Sequence, residues 1–325
     1  MDQFADACVL DLVPDTNAEF RAEVLAGLAR LQKAIPSQFF YDEEGSRLFE
    51  HICALPEYYP TRTEIAILRH NAAAIAAALP SQAVLVEYGS GASVKVRLLL
   101  NGLERPAAYI PIDISRQHLQ AAASVLAFDY PGLAVMPVCA DFTRPSALPP
   151  GVPPGPRVGF FPGSTIGNFH PVDATRLLRR FRRQLGPQGS LLVGVDLKKD
   201  PAILQAAYND AAGVTAAFNR NLLVRANREL SASFDLEAFA HHAFWNAQAG
   251  RIEMHLRSTA AQKVRVAGRP FRFAAGETIH TENSYKYKLD EFKTCAVAAG
   301  FAPAAVWTDP AGLFSVHLLA VAGTP

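Results

Sequence analysis

Between Gln82 and Leu197 the chain alternates short apolar runs with longer amphipathic segments, and this alternation constrains the fold more than any other feature. The runs read "AVLVEY", "AAYIPIDI", "LAVMPVCAD", "RVGFFPG" and "SLLVGVDL". Runs dominated by Val, Ile, Leu and Phe mark strands buried within a sheet. Helical patterns lie between them, including "SRQHLQAAASVLAFDY", with Ser115 as its N-cap, and "VDATRLLRRFRRQL". Strand–helix repetition of this kind implies a mainly parallel, doubly wound α/β sheet. Upstream, "AAAIAAALP" reads as a buried helix, and the prolines of Pro145–Arg157 mark a stiff surface loop.

After Asp196 the rhythm changes. A long helical region (Asp200–Arg228) leads into "FDLEAFAHHAFWNAQAGRIEMHLRS" and "KVRVAGRPFRFAAGETIHTENSYKY", which alternate as antiparallel strands joined by glycine turns. "LDEFKTCAVAAGF" then reads as a helix, and "AAVWTD" and "FSVHLLAVA" as closing strands. A helix followed by an antiparallel pair completes a parallel-sheet domain, so the intervening segment reads as an insertion. The expected division is residues 60–199 with 288–325 as one domain, and residues 8–59 with 200–287 as a second α+β domain.

Several function classes fall away on composition. A net charge of +1 offers no general attraction for nucleic acid or anionic membrane. No apolar run approaches the ~18 residues of a membrane span, and "MDQFADACVLDLVPD" lacks the basic and apolar regions of a signal peptide. Cys8, Cys53, Cys139 and Cys295 never form a CxxC pair, which argues against structural zinc and a disulfide framework and suits a reducing cytoplasm. No histidine pair has HxxxH or HExxH spacing, so no metal is expected; His241-His242 reads as a helix surface.

"VEYGSGASVKVRLLL" places Gly89-Ser90-Gly91 after a strand and before a helix, where glycine allows a tight turn and close approach to a ligand. The dinucleotide fingerprint would want glycine or alanine at the last position of G-x-G-x-x-G, which is Val94 here. Asp113 ends the next strand and can accept both hydroxyls of a ribose. Asp141, in "CADF", can hold an adenine amino group, with Phe142 against the base. Three such features at the ends of three successive strands suit S-adenosylmethionine, with Lys95 either near its methionine carboxylate or a solvated helix lysine.

The substrate end is less regular. "FFPGSTIGNFHP" follows the fourth strand, with Gly163 permitting an unusual backbone path and Asn168 either a ligand donor or the cap of the next helix. Tyr41, Tyr58 and Tyr59 lie in tyrosine-dense stretches, and Tyr208 lies in a helical segment with an unusually polar composition, "NDAAG…N…N". In "HTENSYKYK", strand alternation puts Glu282, Ser284 and Lys286 on one face and Asn283, Tyr285 and Tyr287 on the other. The first face reads either as a solvated edge or as a grip on a small polar ring. Tyr285 and Tyr287 read as packing residues.

Together, "FFYDEEGSRLFEHICALPEYYPTRTE", "VEYGSGASVK", "PGSTIGNF", "AAYNDAAGVTAAFNRNLLVRANREL", "IEMHLRS" and "GETIHTENSYKY" resemble the histidine-specific Nα-methyltransferases of ergothioneine biosynthesis, from about Arg21 to the last strand. The resemblance implies a class I methyltransferase domain with an added substrate domain. The implied reaction is three successive methyl transfers from S-adenosylmethionine to the α-amine of L-histidine, giving hercynine. By motif, Gly89, Lys95, Asp113, Asp141 and Phe142 fall on cofactor positions. Tyr58, Asn168 and Tyr208 fall on positions contacting the amino-acid end of the substrate; Asn168 and Tyr208 would hold its carboxylate. Tyr41 would lie beside the amine and manage its proton, and Gly163 would give close backbone approach there. Glu282 and Ser284 would read the imidazole, with Met254 lining the same pocket. Tyr88 and Val96 depart from the family pattern outside these positions. A monomeric cytoplasmic enzyme with a small-molecule partner is the resulting expectation. Two alternatives remain: a methyltransferase for another aromatic amino acid, such as tryptophan, or a histidine derivative, and a non-catalytic nucleotide-sensing module.

Overall fold

The structure is a computed structural model that describes residues 9–12, 16–91 and 94–322. The chain divides into two compact units. The described residues of Met1–Val13, Pro60–Lys198 and Lys286–Pro325 form the first, and those of Pro14–Tyr59 and Lys199–Tyr285 the second.

The first unit is built on a mixed sheet. Its order runs Leu10–Asp11, Val138–Cys139, Ala108–Asp113, Val84–Tyr88, Arg157–Phe161, Ser190–Asp196, Phe314–Val321 and Phe301–Thr308, with Ala134–Val135 also paired to Ala108–Asp113. The strands up to Ser190–Asp196 are parallel, and the last two close the sheet as an antiparallel hairpin. This is the class I methyltransferase topology, with strand order reversing on either side of Val84–Tyr88. All five residues of Val84–Tyr88 are buried, as helix-covered parallel strands require. Leu85, Phe160, Leu192 and Phe314 from the sheet pack with Leu68, Ile75 and Val96 from the helices Tyr59–His70, Ala72–Ala78 and Val94–Leu100. Each fully buried side chain of this size contributes roughly 1.5–3 kcal/mol.

Three local readings change. "LAVMPVCAD" forms two two-residue strands, Ala134–Val135 and Val138–Cys139; Pro137, between them, has no N–H to give the ladder. Leu10–Asp11 pairs in parallel with Val138–Cys139, so it belongs with the large sheet, although it falls within the 8–59 stretch assigned to the other domain. The alanine helix Ala72–Ala78 buries only Ile75, because its other positions turn outward.

The second unit combines helices with a smaller sheet of order Lys33–Ala34, Thr278–Tyr285, Arg251–Ser258, Phe239–Asn246, and a separate hairpin of Gln262–Val266 with Arg269–Phe273. The expected single helical region is two helices, Pro201–Tyr208 and Val214–Leu230, broken where Gly213 is left-handed at φ 73°. Asp210 caps the second helix, accepting from Val214 N and Thr215 N at 2.8 Å each. His241 and His242 lie on the strand Phe239–Asn246, not on a helix surface. Among the described residues, no helix is long and apolar enough to cross a membrane.

Candidate active site

In the first unit, the candidate groups gather where the parallel strands end, beside the point at which strand order reverses. Open α/β sheets bind ligands in that crevice. Gly89 follows Val84–Tyr88 with φ 75°, a conformation that disfavours a Cβ, and a Cβ built there would stand 3.6 Å from the Phe142 ring. Beside it, Ser90 Oγ is buried and has no hydrogen-bond partner among the described residues. Asp113 closes its strand, accepting from Ser115 N at 2.9 Å and Gly91 N at 3.4 Å. Burial raises its pKa, and the two backbone donors partly offset that shift. Asp141 accepts from Thr143 N at 2.8 Å and Thr143 Oγ1 at 2.6 Å. Phe142 packs edge-on against Phe161 at 5.5 Å.

Lys95 is not a solvated lysine. Its Nζ lies 2.6 Å from Glu64 Oε2, and Glu64 is completely buried. The same carboxylate accepts from Gly163 N, at 2.9 and 3.1 Å. Gly163 and Ser164 are both left-handed, at φ 75° and 56°, and Ser164 Oγ accepts from Asp196 N at 2.9 Å. The turn feeds the short 3₁₀ segment Thr165–Asn168. Asn168 is not the helix cap, since His170 stands at the N-cap of Pro171–Leu185.

Glu64 carried no role in the sequence reading. Glu87 was missed too, although an acid inside "VEY" was a visible signal. Glu87 is buried, accepts from Tyr109 OH at 2.5 Å, and burial pushes its pKa up to about 8 against the pull of that hydrogen bond.

In the second unit, Met254 pairs across the sheet with Glu282, and Ile252 with Ser284. Cross-strand partners share a face, so Met254, Glu282 and Ser284 point the same way. The register shifts after Met254, leaving Thr281 as the extra residue of a bulge and turning His280 to the opposite face with His255. Thr281 Oγ1 lies 2.8 Å from Asn219 Oδ1 and 3.0 Å from Met254 O, with one proton to share between these two acceptors. Asn219 Nδ2 donates to His255 O at 3.0 Å. The odd polarity of this helix is thus partly a pin that holds the bulge, and hence the facing of Glu282.

Tyr208 OH donates to Ser284 Oγ at 2.7 Å, with both side chains buried. The Tyr208 carbonyl is held at 2.8 Å by His241 Nε2, whose Nδ1 lies 2.9 Å from Asn219 Nδ2. With the amide donating, Nδ1 accepts and Nε2 carries the proton; burial lowers the His241 pKa and favours that neutral ring. Tyr58 stands edge-on to Tyr208 at 6.3 Å and to Phe49 at 6.3 Å, and Tyr41 is edge-on to Phe49 at 5.7 Å. Burial raises the Tyr58 pKa well above its ordinary value, with Tyr208 and Glu282 among the neighbours adding to it. Tyr41, Tyr58, Tyr208, Met254, Glu282 and Ser284 therefore belong to one unit. The strand ends at Tyr285, so Lys286 does not continue the Glu282–Ser284 face; it pairs with Asp196 in the first unit at 2.7 Å.

Spacing pointed to no metal cluster, yet donor atoms of Glu253, His255 and His280 fall within 4.8 Å of one another. The two imidazoles stack at 4.5 Å with planes 9° apart, so their in-plane lone pairs run side by side rather than converging. Glu253 is held by Arg251 at 2.7 Å and His255 at 3.0 Å. This arrangement is a polar brace on the sheet face opposite Glu282.

The profile of the family described as "Histidine-specific methyltransferase, SAM-dependent" matches residues 20–321. The chain is 46% identical to a histidine N-alpha-methyltransferase of Mycolicibacterium smegmatis, over 94% of this chain and 97% of that protein. It is 42% identical to the protein of that name in Mycobacterium tuberculosis, over 92% and 94% of the respective chains. It is also 32% identical to "Ergothioneine biosynthesis protein 1" of Neurospora crassa, over 89% of this chain and 33% of that longer protein.

Proposed function

Because the chain belongs to the family of S-adenosylmethionine-dependent histidine-specific methyltransferases, we propose that it methylates the α-amine of L-histidine three times to give hercynine, a step of ergothioneine biosynthesis. The buried Tyr208–Ser284 hydrogen bond, on the sheet face shared by Glu282 and Met254, carries this reading. It puts a hydroxyl pair and a carboxylate in one apolar surround, as a small polar ring requires.

The first unit's donor set fits the cofactor. Two carboxylates at strand ends, an aromatic ring, a half-buried lysine and, at the glycine turn, a Ser90 hydroxyl with no partner among the described residues match a ribose, an adenine and a methionine carboxylate. When bound, S-adenosylmethionine supplies an electrophilic methyl carbon on a sulfonium. Asp113 accepts from the ribose hydroxyls, Asp141 from the adenine amine, and Phe142 covers the base beside Gly89. Lys95 faces the methionine carboxylate.

In the second unit, Glu282 and Ser284 bond the two imidazole nitrogens, and Met254 fills the apolar side. On binding, Tyr208 turns its one hydroxyl proton from Ser284 to the substrate carboxylate, and Tyr58 borders the same end. For Gly163 and Asn168, in the first unit, the proposal keeps the roles the family implies, close backbone approach and a carboxylate donor. Methyl transfer is an in-line displacement, so positioning and exclusion of water dominate the rate. Each transfer forms an N–C bond, breaks an S–C bond, and needs a neutral amine. Tyr41, by the role the family implies, takes the proton released before each attack, directly or through water. Selectivity follows from buried polar groups, since an amino acid without imidazole nitrogens leaves Glu282 and Ser284 short of partners.

The proposal extends to a monomer in a reducing compartment, which the free thiols of Cys53, Cys139 and Cys295 support. The test is incubation with S-adenosylmethionine and either L-histidine or tryptophan, read by mass. Gains of one to three methyl groups on histidine, at a kcat/KM well above that for tryptophan, are expected. No gain on histidine overturns the reading. Glu282→Ala should weaken histidine binding while leaving cofactor affinity in place; equal losses of both would remove Glu282 from the imidazole.

A further inference from the structure

We propose that Glu64 is a positioning residue for the methyl transfer, acting through Lys95 and the Gly163 turn; the inference rests on the cofactor assignment made above. Its carboxylate is completely buried, yet every feature around it is arranged to keep it there. Gly163 N donates to both oxygens, and Lys95 Nζ lies 2.6 Å from Oε2. On its other side, Gly194, in the strand Ser190–Asp196, provides the room: a Cβ at that position would collide with Glu64 Oε1.

A buried carboxylate is costly unless paired and hydrogen-bonded. This one meets both conditions, and both partners sit at the ligand end of the sheet. Lys95 has three donors and a flexible four-carbon stem. Held by Glu64, it keeps one geometry and has donors left for a ligand carboxylate. Gly163 takes its left-handed conformation freely, as glycine can, whereas Ser164 holds one only when its surroundings dictate it. Glu64 anchors the first through the Gly163 amide, and Asp196 N fixes the second through the Ser164 hydroxyl. One carboxylate therefore sets both the cationic arm toward the cofactor and the turn that leads into Thr165–Asn168. Preorganisation of this kind appears as affinity and turnover, because its loss must be made good on binding.

The two partners make different demands, which separates a positioning role from a merely structural one. In Glu64→Gln the amide oxygen still accepts from Gly163 N, but the charge facing Lys95 is gone. In Glu64→Ala both interactions are lost. Full-length wild type, Glu64→Gln, Glu64→Ala, Lys95→Met and the Glu64→Gln/Lys95→Met double variant would be titrated calorimetrically with S-adenosylhomocysteine, and assayed for kcat and for histidine KM. Glu64→Gln should weaken S-adenosylhomocysteine binding about tenfold with histidine KM within about twofold of wild type, whereas Glu64→Ala should also raise histidine KM and lower kcat by about tenfold or more. In the Lys95→Met background, Glu64→Gln should have little further effect on cofactor affinity, as expected of residues that act as one unit.

Wild-type cofactor affinity in both Glu64 variants overturns the inference. So does a uniform loss in Glu64→Gln that tracks a fall in its Tm, or full additivity in the double variant. A wild-type protein that fails to bind S-adenosylhomocysteine refutes the cofactor assignment itself, which is a distinguishable failure.

Discussion

Lys286 and Asp196 form an ion pair at 2.7 Å with each side chain only 1% exposed. Replacing Lys286 with Met keeps most of the side-chain stem and removes only the charge, leaving the Asp196 carboxylate buried without its cation. Breaking one partner of a buried pair costs about 3–5 kcal/mol, whereas replacing both is often close to neutral. The site amplifies this cost because backbone bonds converge there too: Tyr287 N donates to Asp196 O at 3.1 Å and Lys198 N to Tyr287 O at 3.0 Å. The chain has two tryptophans, Trp245 in the second unit and Trp307 in the first. In a Trp245→Phe background, Trp307 fluorescence during urea unfolding reports the first unit alone. Lys286→Met should lower its unfolding free energy by about 3–5 kcal/mol, and Asp196→Asn/Lys286→Met should recover most of that loss. A single variant within about 1 kcal/mol of the parent, or a double variant as unstable as the single, would refute the reasoning.

Further outcomes can be checked together. Gly194→Ala should displace the Glu64 carboxylate and reproduce the kinetic losses of Glu64→Ala, measured as kcat and histidine KM. Burial lowers the pKa of His280 and of His317 from 6.5 to about 4, so both are neutral in the folded protein at pH 7. Their contribution to stability is whole above pH 6.5 and is lost as pH falls toward 4, by up to about 1.4 kcal/mol per pH unit for each. The unfolding free energy of His317→Gln should therefore fall less steeply over that window than that of wild type. Glu87 runs the other way: its folded pKa of about 8 lies above the ordinary 4.5. The stability linked to its protonated form is present below pH 4.5 and lost as pH rises toward 8, so Glu87→Gln should gain on wild type across that range in urea unfolding. Asn219→Ala should release the Thr281 bulge and raise histidine KM while leaving cofactor affinity unchanged, read by titration.

Sequence by itself determined the large sheet and the edge at which its parallel strands end. Buried parallel strands declare themselves by apolar runs, and the residues that end them, Gly89, Asp113, Asp141 and Gly163, are adjacent in sequence to the strands that carry them. The period-two pattern likewise put Glu282 and Ser284 on one face, because alternation is a local property of extended chain. Tertiary structure decided what local patterning cannot hold. The 3.6-residue and two-residue periods say nothing of a carboxylate such as Glu64 reaching Gly163, 99 positions away, nor of the room that Gly194 leaves for it. They also carry no sign of the bulge at Thr281, which depends on a helix amide 62 residues distant. Lys286 shares the parity of Ser284, yet the strand stops at Tyr285 and the lysine is claimed by Asp196. Burial of a charge is settled only when a partner from elsewhere in the chain arrives to meet it, and that pairing is a property of the folded molecule.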